Sequence, residues 1–195
     1  MSEYEMMQWA GLAAGAGVVG AGIYGLVRFF RKLDAIWPDT AAKYGLSFEK
    51  KHEGSALGNS TEVLSLRGPT LEVLSMREQL GNRRRTSTVV TAKGATPGGT
   101  LLEVSRNRPK AAFHLVTTGD AKFDNLRFVL SESKDRAKAL LTPPVREALL
   151  RCRQWELRIA CDGSQVMVSF GDLVTDHAAL SGPIDVALAV ARGAT

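Results

Sequence analysis

The chain has 195 residues, 45% of them hydrophobic and 23% charged, and 25 Lys+Arg against 20 Asp+Glu leave a net charge of +5. That length admits one domain of ordinary size plus an extension and excludes two full domains. The composition excludes a wholly disordered, collagen-like or disulfide-stapled chain.

From Trp9 to Val27 no residue is charged, a run of 19, which as a helix would span roughly the 30 Å hydrocarbon core of a bilayer. Residues 1–32 are therefore predicted to form a transmembrane anchor with its basic flank. Glu3 and Glu5 precede the run and no Lys or Arg does, which argues against the basic leader of a cleaved export signal. Arg28, Arg31 and Lys32 follow it directly, so the positive-inside rule predicts a cytoplasmic C-terminal side. Ala13, Gly17, Ala21 and Gly25 recur at every fourth position and offer a small-residue face on which two helices could meet as a homo-oligomer. The same residues also suit a spanning helix that specifies no contact, and both readings stay open. Gly15 to Gly20 spells a GxGxxG, but no strand leads into it, so the dinucleotide reading fails on context.

Residues 33–43, with Trp37-Pro38-Asp39, read as a juxtamembrane connector, because Pro38 disfavours helix at the residue before it. The remaining 44–195 are predicted to be a cytoplasmic domain. Counting from Arg28, all 25 basic residues face 18 acidic ones, a balance of +7, and a basic surface beside an anionic leaflet is attracted to it.

Within 44–195, strand-like runs occur at residues 46–48, 63–66, 70–76, 86–91, 101–105, 112–116 and 126–130. Gly81-Asn82 and Pro97-Gly98-Gly99 predict hairpin loops between neighbours, hence a mainly antiparallel sheet. Ser133 is a candidate N-cap for a helix over 134–141, and Thr142 with Pro143 opens a second. Trp155 to Cys161 alternates, Asp162-Gly163 turns, and Val166 to Phe170 returns, which predicts a hairpin. Ser181-Gly182-Pro183 then opens an apolar helix over 184–192. The fold class expected is α+β: an N-terminal transmembrane helix followed by a mainly antiparallel sheet with short helices.

Phe123-Asp124, Phe128-Val129, Ser131, Asp135, Ala137 and Leu140-Leu141-Thr142-Pro143, with Leu149-Leu150 after them, resemble a bacterial family of unknown function. Its signature pairs an FD or FE strand with a helix carrying an A…LLTP segment. The resemblance extends over 118–170 and implies a membrane-associated α and β domain, here at the bacterial inner membrane, with no established activity. Phe123 and Phe128 stand one residue farther apart than the family spaces them, so either the strand carries a bulge here or the register of the resemblance is wrong.

Candidate chemistry is sparse. His52, His114 and His177 lie too far apart in sequence to form a local metal motif; no metal or cofactor is expected. Cys152 and Cys161 read as free thiols in a reducing compartment. Asp120 and Asp124, beside Thr117-Thr118-Gly119, form a candidate carboxylate site, although Thr-Gly-Asp is also ordinary turn chemistry. Arg83, Arg84 and Arg85, after the Gly81-Asn82 turn, are candidate contacts for lipid or another anion, together with Arg28, Arg31 and Lys32. No aromatic residues interleave with the arginines, which places nucleic acid last among partners. The leading expectation is a single-pass membrane-anchored protein with a non-catalytic cytoplasmic interaction domain and an unidentified protein partner. The alternative is a membrane-tethered enzyme using Asp120 and Asp124.

Overall fold

A computed structural model describes residues 34–54, 60–80, 83–107, 114–154, 156–172 and 174–193. The chain divides into two compact units, Met1–Ile36 and Trp37–Thr195. In the first, residues 34–36 are helical. The second opens with helical residues 37–44 (α1), in which Pro38 is exposed.

Nine strands follow: β1 (Ser47–Gly54), β2 (Ser60–Arg67), β3 (Leu71–Leu80), β4 (Arg83–Lys93), β5 (Thr100–Ser105), β6 (His114–Val116), β7 (Phe128–Ser131), β8 (Glu156–Cys161) and β9 (Gln165–Phe170). The helices are α2 (Ala121–Leu126), α3 (Lys134–Leu140), α4 (Pro143–Arg151) and α5 (His177–Gly193). All strands join one antiparallel sheet in the order β1-β2-β3-β4-β9-β8-β5-β7-β6.

This corrects the fold class expected above. The architecture is a large nine-stranded sheet with short helices, and among the described residues no helix is long and apolar enough to cross a membrane. Residues 9–27, on which the transmembrane reading rested, lie outside the described residues. An uncharged run rich in Ala and Gly with a basic flank meets the length and charge criteria for a span, but its aliphatic content is low.

The Pro97-Gly98-Gly99 segment is not a hairpin between neighbours. β4 and β5 are separated by β9 and β8, and residues 94–99 cross the end of that central pair. The crossing is held by backbone hydrogen bonds from Gly94 N–H to Ser164 O at 3.0 Å, Thr96 N–H to Gly163 O at 3.2 Å and Gly99 N–H to Cys161 O at 2.9 Å. Gly94 lies so close to α5 that a Cβ there would fall 2.6 Å from the Ala191 carbonyl oxygen, a spacing only glycine satisfies.

Alternation along the strands sorts the side chains onto two faces. Leu66, Val73, Val90, Val168, Ile159, Leu102 and Val129 share one face and are fully buried. α5 packs on β9 and β4, α4 packs on α5, and α3 lies beside β5 and β6. The helices thus form a second layer over this face, and the core lies between them.

α5 begins before the Ser-Gly-Pro signal, with Pro183 inside it. The Asp176 carboxylate accepts the Ala179 N–H at 2.7 Å and opens the helix. Pro183 lacks an N–H, which frees the Ala179 carbonyl one turn back; the buried Gln154 amide donates to that carbonyl at 2.8 Å. Beside it the buried Arg127 donates to the Leu149 carbonyl at 2.8 Å, the Gln154 carbonyl at 3.1 Å and the Cys152 carbonyl. A guanidinium thereby closes the C-terminal end of α4, where the carbonyl dipoles favour a cation.

Candidate functional site

Thr118-Gly119-Asp120 is a turn leading into α2, and Gly119 adopts φ +85°, open to glycine at little cost. Asp120 Oδ1 accepts the Phe123 N–H at 3.1 Å as N-cap, while its Oδ2 accepts Arg146 Nε at 3.2 Å. Asp124 Oδ1 accepts the Thr118 N–H at 3.0 Å and hydroxyl at 2.9 Å, and Oδ2 accepts the Gly119 N–H at 3.0 Å. Desolvation raises the Asp124 pKa, but the Thr118 and Gly119 hydrogen bonds and the Arg146 charge outweigh it and hold the carboxyl below its ordinary range. The two carboxylates share one turn, and both are engaged in holding it. Phe123-Asp124 therefore stands on a helix, with Phe123 fully buried, rather than on a strand.

Arg83, Arg84 and Arg85 are the first three residues of β4. Alternation sends Arg83 and Arg85 to the sheet face opposite the helices. Ala13, Gly17, Ala21, Gly25, Arg28, Arg31 and Lys32 lie outside the described residues. His177 Nε2 stands 3.6 Å from Asp39 on α1, and His114 is exposed on the edge strand β6.

The face away from the helices is open. Met76, Leu115 and Met167 on it are 38%, 40% and 36% exposed, and Val63, Leu74, Val89 and Leu101 continue the apolar ribbon across the strands. At one end of the sheet a cleft of about 570 Å³ reaches from Arg85 and Ser87 on β4 to Leu130 on β7. Ser169 and Phe170 of β9, Glu156 and Arg158 of β8, Glu103 and Ser105 of β5 and Asn107 also line it. Glu103 and Arg158 are register partners on adjacent strands and form an ion pair at 2.9 Å.

Among its described lining residues the cleft has no His, Cys or Lys, and of its two carboxylates Glu103 is held by Arg158. The Ser105 hydroxyl donates to the Asn107 carbonyl at 2.8 Å. The arrangement suits binding, since apolar side chains, two guanidiniums and two carboxylates line the cleft together. Of these residues, sequence reasoning singled out Arg85 alone. Glu103, Glu156, Arg158 and Ser169 meet it only because β8 and β9 insert between β4 and β5, and that pairing leaves no local trace in the sequence.

No protein-family model matches the chain, and no curated protein matches it. Among solved structures, the chain is similar to the crystal structure of the mycobacterial trehalose monomycolate transport factor A, at 10% sequence identity and a TM-score of 0.47 over 84% of this chain and 92% of that one.

Proposed function

We propose that this chain is a non-catalytic interaction domain that receives a protein partner on the open face of its sheet. The observation that carries the reading is the asymmetry of the sheet: helices cover one face, while the other exposes Met76, Leu115 and Met167 in a continuous apolar ribbon beside a polar-walled cleft. Around that ribbon, away from the start of β4, several charges are paired. Lys51 pairs with Glu49 at 3.1 Å, Arg67 with Glu72 at 3.2 Å and Arg158 with Glu103 at 2.9 Å. A polar rim with paired charges of both signs around an apolar centre matches the anatomy of protein–protein interfaces and supports a protein partner over a lipid surface.

Site-specific photo-crosslinking tests this. A benzoylphenylalanine in place of Met76 or Met167 is expected to form a discrete adduct in cells, whereas the same group in place of Glu147, exposed on α4, is not. Equal adducts from both sides, or none from the open face, would overturn the reading. Salt-sensitive flotation of the full chain with phosphatidylglycerol vesicles, lost on Met76→Glu and Met167→Glu substitution, would assign the face to lipid instead.

A further inference from the structure

β4 is longer than the strand it pairs with. Its ladder with β9 runs from Lys93↔Gln165 to Thr88↔Phe170 and stops there, while β4 itself begins at Arg83. Residues 83–87 pair with β3 on one side; on the other, among the described residues, their backbone has no strand partner. Gly171, next after β9, lies against the Thr86 carbonyl, a Cβ there being 3.7 Å from it, so the free edge is residues 83–85, roughly 10 Å long, and an added strand would continue the line of β9 beyond Gly171. The cleft lies alongside this overhang, with Phe170 and Leu157 among its lining residues.

The charge on the overhang distinguishes it from the outer edge of the sheet. On β1 the exposed Glu49 and Lys51 pair with each other and Lys50 pairs with Glu62 at 2.8 Å, the charged edge that keeps a strand from recruiting another. Arg83 and Arg85 form no ion pair among the described residues, and both are exposed on one face of the overhang. Glu156 lies nearer Ser87, toward the end of the ladder, and Glu103 is already held by Arg158. On β3, Glu78 is the register partner of Arg85 while Leu80 is that of Arg83, so the two arginines outnumber the one carboxylate opposite them and an added strand would meet a net positive edge.

We propose that residues 83–85 of β4 are a docking edge for an extended acidic segment of the partner protein, added to the sheet as a short strand with its carboxylates beside Arg83 and Arg85. This rests on the interaction-domain reading and names where and how the partner is held.

The probe is a synthetic peptide alternating Glu and Val, compared with its Lys/Val counterpart and with a Glu/Val peptide N-methylated at alternate amides, each titrated against the full chain by fluorescence anisotropy. The Glu/Val peptide is expected to bind, and Arg83→Glu with Arg85→Glu to weaken it at least about tenfold. The Lys/Val and N-methylated peptides are expected to fail. A milder Arg83→Gln, Arg85→Gln pair, with unfolding midpoint unchanged, keeps the test valid should charge reversal disturb the strand. Equal binding of the N-methylated peptide would remove the strand addition, and equal binding of the Lys/Val peptide would remove the charge argument. Dimerisation of the chain alone, abolished by the arginine substitutions, would overturn the proposal in favour of a second copy. Failure here with crosslinks still confined to Met76 and Met167 would sink the docking edge and leave the interaction domain standing.

Discussion

Gln154 shows how one side chain answers a defect elsewhere. Pro183 leaves the Ala179 carbonyl of α5 without its helical donor, and the buried Gln154 amide supplies one at 2.8 Å. Gln154→Ala is expected to destabilise the domain by about 1–3 kcal/mol, the cost of an orphaned buried acceptor. In a Pro183→Ala background, where residue 183 regains an N–H, the same change should cost well under half as much. Urea denaturation of the four-member cycle checks this, and equal costs in both backgrounds would contradict it. Asp162 gives a pH-dependent counterpart in the β8–β9 turn. Hydrogen bonds from the Ser164 backbone and the Gln165 side chain lower its pKa to about 2. Because the folded value lies below the unfolded one, this carboxylate stabilises the fold above the ordinary carboxylate range, and the contribution is lost as pH falls through the folded value. Asp162→Asn removes that titration. The stability gap between wild type and Asp162→Asn should therefore narrow between about pH 5 and pH 2, and a gap constant across that interval in denaturation series would refute the assignment.

At the scale of elements, signals written within a few residues were readable and those written across the chain were not. Ser133 does cap α3, accepting the Arg136 N–H, and Pro143 does open α4. The alternating run ending at Cys161 and its return through Phe170 do form a hairpin around Asp162-Gly163. Pro97-Gly98-Gly99 misled, because its turn chemistry is that of a hairpin, while the partner of β4 is a strand beginning at residue 165. The same long-range pairing hid most of the cleft, whose Glu103 and Arg158 become neighbours only through the β5–β8 register. The Thr118-Asp124 turn was visible as a motif, but its engagement with Arg146 on α4 was not. The crossover itself is testable. Gly94→Ala must displace the Ala191 backbone of α5 and is expected to cost about 1–3 kcal/mol. Gly98→Ala, whose nearest atom would be 3.4 Å away, should fall within about 0.5 kcal/mol of wild type. Thermal denaturation of the two variants decides, and an equal loss in both would show that the close approach to α5 is not what holds the crossover.

For the whole molecule, placing the helices on one face makes the sheet both a wall of the core and a surface. Burial of Leu66, Val73, Val90, Val168 and Ile159 on one side supplies the hydrophobic stabilisation. The other side can then present methionines, whose unbranched, polarisable side chains adapt to different partners. The order of the strands carries a further consequence for how this protein comes into being. β4 and β5 leave the ribosome well before the pair that must sit between them, since Phe170 is made 65 residues after Ser105. At cellular elongation rates that is a delay of about 3–13 s. Throughout it the nascent chain holds two half-sheets whose inner margins are bare, so maturation waits on the last quarter of synthesis and the interval is one a chaperone would have to cover.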